Sequence, residues 1–170
     1  MKSPLALAAL GLGTFALPAA AATLVPLNPN STCLRTYNDN PTPPPALAVD
    51  LSGLGLHAGD RLLLQVVGDM DHGPGGDVFT FTLGVFSSGN TLPGNDLRYR
   101  VPGALTTDAP PVITSATYFG ALPTEVAQDF ALTPPLGITV TAPVGASHLF
   151  LAANDQLYDD NSDPTRALAC

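Results

Sequence analysis

The chain has 170 residues with 18 prolines and 16 glycines, no tryptophan, and six lysines and arginines against 14 acids, for a net charge of −8. So few cations exclude nucleic-acid binding by counterion release and give no grip on an anionic lipid surface. Thirteen of the acids are aspartate, a residue of turns and metal loops and not of helices, so divalent cations and neutral ligands remain as partners.

In chain order, Met1 and Lys2 precede an apolar run from Leu5 to Leu17, then Pro18 and four alanines at 19–22. A positive end, an apolar middle and small residues form a secretory signal over 1–22. The run is too short and too rich in Gly and Ala to read as a membrane span. Cleavage near Ala22 removes Lys2, the only lysine, and leaves five arginines against fourteen acids, a net charge of −9. The expected location is secreted or periplasmic, with no membrane insertion after cleavage. Residues 23–48, rich in Pro, Asn and Thr, read as an extended segment ahead of a domain at 49–170.

His57-Ala58-Gly59-Asp60 is a turn, and Arg61 to Val67 is an apolar run of strand length. Asp77 to Phe86 alternates, with Phe79, Phe81, Leu83 and Val85 on one face and Val78, Thr80 and Thr82 on the other, which predicts a strand with one apolar face. Asp96 to Val101 predicts a short polar strand. Residues 102–136 hold Pro102, Pro110, Pro111, Pro123, Pro134 and Pro135 and read as a long excursion, in which only Thr124 to Phe130 has a helical look. Ile138 to Ala142 alternates with Thr139 and Thr141 outward. Pro143-Val144-Gly145-Ala146 is a turn, Ser147 to Ala153 an apolar strand, and residues 165–170 a short closing strand. Short strands between Gly, Pro, Asn and Asp turns indicate an all-β fold, an antiparallel β-sandwich or jelly roll with a long Pro-rich excursion.

Two cysteines, Cys33 and Cys170, lie near the two ends of the mature chain. In an oxidising compartment they are expected to pair, and closing so long a loop stabilises by about 4–5 kcal/mol in the chain-entropy picture. Two free thiols are the other reading. Asn30-Ser31-Thr32 before Cys33 is not a lipidation motif.

Chemistry concentrates after the strand ending at Ala153. From Asn154 to Asp163, six of ten residues are Asp or Asn, four of them carboxylates. Carboxylates this close repel one another, and a hard divalent cation relieves the repulsion by taking oxygen ligands at about 2.3–2.6 Å. Calcium suits a mixture of carboxylate, amide and backbone oxygen better than magnesium does, and zinc lacks its Cys or His ligands. The bland alternative is a solvated acidic turn.

Three pieces are similar to the PA-I type galactophilic lectin family, small bacterial calcium-dependent sugar-binding β-sandwiches of the galactose-binding-like type. They are the Gly59-Asp60 turn with its apolar strand, Gly68-Asp-Met-Asp-His72-Gly73-Pro74, and Asn154-Asp155 with Tyr158-Asp159-Asp160-Asn161-Ser162. The last resembles the family's Asn-Asp … Tyr-Gly-Asn-Asn-Ser loop. The resemblance implies calcium held by the side chains of Asp155, Asp160 and Asn161 and the carbonyls of Leu157 and His72. It also implies a neutral saccharide or glycan, galactose-like, whose vicinal hydroxyls complete the ion's shell, with Asp155, Asn161 and His72 near the sugar. This chain departs from the family in three places: its loop is about two residues shorter, Asp160 stands for an Asn, and no His-Pro pair exists.

Tyr158 reads either as a face for a pyranose ring or as a buried anchor of the loop. His72 reads as an ion-site residue or as a loop histidine. His57 and His148 read as surface or edge residues, Tyr118 and Phe119 as loop anchors, and Arg98-Tyr99-Arg100 as an outward strand face. No Gly-x-Ser-x-Gly nucleophile motif is present, and spacing identifies no opposed carboxylate pair of a glycosidase, so no enzyme is expected. Two functions follow as expectations: a secreted calcium-dependent carbohydrate-binding module, or a calcium-stabilised structural or adhesive β-sandwich that binds no sugar.

Overall fold

The strand with the cleanest alternation orients the first sheet. In the computed structural model, Arg61–Val67 buries Leu62, Leu64 and Val66 and turns Arg61, Leu63, Gln65 and Val67 outward. The structure describes residues 22–36, 42–68, 82–98, 129–132, 137–155 and 157–161, and the backbone of 167–169. Eight strands are present among them: β1 Leu24–Pro26, β2 Ala48–Asp50, β3 Arg61–Val67, β4 Thr82–Ser87, β5 Asp129–Leu132, β6 Ile138–Thr141, β7 His148–Ala153 and β8 Ala167–Ala169. Among the described residues, helix is limited to two single 3-10 turns, Ser52–Leu54 and Asn95–Leu97. The protein is all-β.

Every strand pair is antiparallel. One sheet runs β1-β8-β3-β6 and the other β2-β7-β4-β5. Inward side chains of both sheets meet in one apolar cluster, including Leu64, Val66 and Val140 from the first and Phe130, Leu132 and Leu151 from the second. The two expected turns form. Gly59 takes φ 90° and Gly145 φ 88°, left-handed values that a side chain resists. Asp60 N donates to His57 O at 3.1 Å and Ala146 N to Pro143 O at 3.1 Å.

The strand expected to have one apolar face is buried on both. Thr82 to Phe86 are all buried. Phe86 joins the shared core, while Leu83 and Val85 point the other way, into a second cluster with Ala131, Phe150 and Ala152. Cys33, Leu34 and Ala46 cover that cluster, so residues 31–36 and 42–46 act as a lid on the outer face of the second sheet. The lid is laced together: Thr32 N donates to Pro44 O and Ala46 N to Thr32 O, both at 3.0 Å, and Leu34 N donates to Thr32 Oγ1 at 2.8 Å. Proline-rich chain suits this role, since fixed φ lowers the entropy lost on docking. The segment read as merely extended thus also supplies β1.

Two further expectations are corrected. The polar strand expected from Asp96 is a 3-10 turn over Asn95–Leu97, with Leu97 N donating to Gly94 O at 2.8 Å. Asn95 Oδ1 also accepts from Thr36 N at 3.2 Å, so its side chain ties down the lid. The excursion at 102–136 contains β5, so the helical look near Phe130 is overruled: Asp129 and Phe130 are strand, paired with Val85 and Gly84. Tertiary pairing outweighs a weak local preference here. Residues 99–128 lie outside the described residues.

Thr82 is 0% exposed, and its hydroxyl oxygen has no hydrogen-bond partner. A buried unmatched hydroxyl costs about 1–3 kcal/mol. Thr82→Val keeps the shape and removes the polar atom, so it is expected to leave stability unchanged or raise it by about 1 kcal/mol in urea unfolding.

Candidate functional site

The Asp- and Asn-rich loop is fixed at its start by the sheet. β7 ends at Ala153, whose carbonyl accepts a hydrogen bond from the Tyr158 hydroxyl at 2.9 Å. The Tyr158 ring is 0% exposed and packs on Ala153. Between them the chain turns on Asp155, whose Oδ1 accepts from Leu157 N at 3.3 Å, a side-chain-closed turn of the kind Asp favours. Tyr158 is therefore the buried anchor of the loop. Of its two readings from sequence, the stacking face for a sugar is the one set aside, because the residue is 0% exposed.

The far end of the loop is fixed by a different part of the chain. Asn30 Nδ2 donates to Tyr158 O at 2.6 Å and to Asn161 O at 3.0 Å. Asn161 Nδ2 in turn donates to Pro29 O at 3.0 Å. The turn carrying these groups is itself closed, with Ser31 N donating to Asn28 O at 3.1 Å and Asn30 N to Asn28 Oδ1 at 3.0 Å. Three side-chain-to-backbone bonds therefore clasp residues 29–30 to residues 158–161.

The clasp fixes which way the Asn161 amide points. A carbonyl only accepts, so the nitrogen must face Pro29 O, and the amide oxygen faces the other way. Asn161 is 7% exposed, and its Oδ1 is buried with no hydrogen-bond partner. Asp160 Oδ1, on the preceding residue, is buried and has no hydrogen-bond partner either. Asp155 is 9% exposed on the same loop, Asp160 is half-buried, and Asp159 is exposed. Buried oxygens facing no N–H or O–H are costly in a protein and are the groups that a hard cation satisfies. Among the described residues, no three His, Cys, Asp or Glu side chains form a metal-holding group. An ion on this loop would draw on the Asn161 amide and backbone carbonyls beside the carboxylates of Asp155 and Asp160. That donor chemistry fits calcium and not zinc.

Of the ligand set implied by the resemblance, Asp155, Leu157, Asp160 and Asn161 lie on this one clasped loop. His72 lies outside the described residues, as do Ser162 and Asp163. Asn30 and Pro29 were not singled out from sequence. The string Asn28-Pro29-Asn30-Ser31 is a turn signature, but nothing local says which loop the turn grips.

The remaining candidates are placed as follows. His57 is exposed, its Nδ1 3.6 Å from Asp60 Oδ2, and the half-buried His148 shares a 2.8 Å hydrogen bond with the Ser147 hydroxyl. Arg98 does not stand on an outward strand face. Its Nε donates to Pro93 O at 2.7 Å, and burial pushes its pKa below the ordinary guanidinium value. Tyr99, Arg100, Tyr118 and Phe119 lie outside the described residues. Cys33 is a wholly buried part of the lid, Cys170 lies outside the described residues, and no disulfide occurs among those described. Residues 1–21 of the segment 1–22 expected to be a secretory signal are likewise outside them, and no helix among the described residues is long and apolar enough to cross a membrane.

No protein-family model matches the chain, and neither the curated proteins nor the solved structures yield a match.

Proposed function

We propose that this chain is a secreted calcium-binding module of β-sandwich or jelly-roll type, whose ion sits in the loop 155–161 and stabilises the fold. The observation that carries the reading is the buried, donor-free pair of side-chain oxygens on Asp160 and Asn161. In water such atoms are hydrated, and on folding they need either a hydrogen or a cation. An overwhelmingly acidic chain with an anchored, oxygen-rich loop favours the cation.

A second reading, calcium-dependent carbohydrate binding, is favoured by the outer edge of the loop. Asp159 is exposed and Asp160 half-buried, which leaves the ion a side toward solvent where two vicinal hydroxyls of a galactose-like sugar could replace two waters. The resemblance of Asn154-Asp155 and Tyr158–Ser162 to the galactophilic lectin loop supports it. The burial of Tyr158 removes the one aromatic face expected to stack on such a sugar.

Thermal unfolding decides between them. Calcium at a hundredfold excess over Kd stabilises by about 2.7 kcal/mol, several degrees of Tm for a chain of this size. Asp155→Ala is expected to abolish the shift, and Asp96→Ala to keep it, since Asp96 is 93% exposed in a loose 3.7 Å pair with Arg35. A further rise with a sugar, present with calcium and absent with chelator, establishes the carbohydrate reading. A calcium shift with no sugar shift leaves the structural one. Identical melting in calcium and chelator rejects both.

A further inference from the structure

The geometry points to a coupling between the ion and the N-terminal lid: Asn30 is a positioning residue for the calcium loop, and calcium binding fastens the lid onto the second sheet. The inference rests on the calcium reading above and adds a regulated element to it.

The chain of contacts is short. Asn161 presents its amide oxygen to the ion side only because its Nδ2 is engaged by Pro29 O at 3.0 Å. The loop carbonyls of Tyr158 and Asn161 are held by a single amide nitrogen, that of Asn30. Asn30 is followed at once by Ser31, Thr32, Cys33 and Leu34, all buried, and Cys33 and Leu34 share an apolar cluster with Val85, Phe150 and Ala152. A loop drawn tight around an ion presents these acceptors in one fixed arrangement. Carboxylates left to repel one another spread the loop and pull the acceptors away from Asn30. By linkage, anything that holds the turn at 28–31 in place must raise calcium affinity by the same factor that calcium raises the docking of the turn.

Calorimetry with calcium on the full chain tests the first half. Outer-shell partners that orient metal ligands are worth about 10–100-fold in affinity, so Asn30→Ala is expected to weaken calcium binding at least tenfold. Asn30→Asp discriminates further. A carboxylate cannot donate, and it faces two carbonyl oxygens, so it should weaken binding as much as alanine does. Were Asn30 acting through local charge alone, the added negative charge would strengthen binding. Equal or tighter binding by Asn30→Asp, or Asn30→Ala binding within twofold of the wild type, overturns the inference.

Hydrogen exchange on the unaltered chain tests the second half without a variant. Calcium is expected to slow exchange at the amides of Ser31, Thr32 and Leu34, whose acceptors are Asn28 O, Pro44 O and Thr32 Oγ1. Protection confined to residues 155–161 overturns the coupling while leaving the ion in place. Failure of the unaltered chain to take up calcium at all is a separate result, and it removes the calcium reading itself.

Discussion

Phe130→Ala is expected to cost about 3–5 kcal/mol in denaturant unfolding, the largest effect of any single substitution in the shared core. The ring is 0% exposed, lies 5.5 Å from that of Phe86 between centroids, and lies directly over Gly84 on the neighbouring strand. Gly84 is the reason it fits. A Cβ there would meet Phe130 Cε2 at 2.6 Å, and the glycine has no positive φ to explain its presence. Gly84→Ala alone should therefore destabilise by about 1–3 kcal/mol through overpacking. Introduced into Phe130→Ala, the same change should cost little or even stabilise, because the obstructing ring is gone and alanine suits a strand at least as well as glycine. A double-mutant cycle checks this: additive losses would show that glycine at 84 has no connection to the ring.

The second large effect is expected at Tyr158. Tyr158→Ala empties the space under the loop and should cost about 3–5 kcal/mol together with calcium uptake. Tyr158→Phe keeps the packing and loses only the hydroxyl donor to Ala153 O, at about 0.5–1.5 kcal/mol, and should retain calcium. A ring serving a sugar from solvent would behave differently, with Tyr158→Ala losing sugar binding at nearly full stability. Melting curves of the two variants with and without calcium separate these outcomes.

The parts of the fold legible in sequence are those whose information is local. β3, β6 and β7 were readable because alternation or an apolar run of strand length sits between turns with their own chemistry, such as Gly59 and Gly145 at positive φ. β8 follows from a few residues at the chain's end. β5 was hidden because Asp129 heads it and prolines flank the region, and its pairing with β4 is a long-range fact. The second face of β4 is illegible for a related reason. Alternation assigns one face to solvent, and nothing within Thr82–Ser87 says that Cys33 and Leu34 return to cover it. At the site, the oxygen-rich character of 155–161 is plain from composition alone. Its clasp is not, because Asn30 acts on backbone carbonyls 128 and 131 positions away.

Tension on the chain would act first on β1 and β8 of the first sheet. Leu24 faces Ala169 across the antiparallel β1–β8 pair, and Ala169 also faces Gln65 on β3. A pull applied through the two outer strand ends thus loads the first rung of the ladder alone, then the next, so the pair unzips at low force where a sheared ladder would resist with all its rungs together. The β3–β6 ladder begins at Leu64, next to the Gln65–Ala169 rung, whereas the β4–β7 ladder belongs to the other sheet. Because Val25 of β1 belongs to the shared apolar cluster, peeling β1 away would also begin to open that cluster.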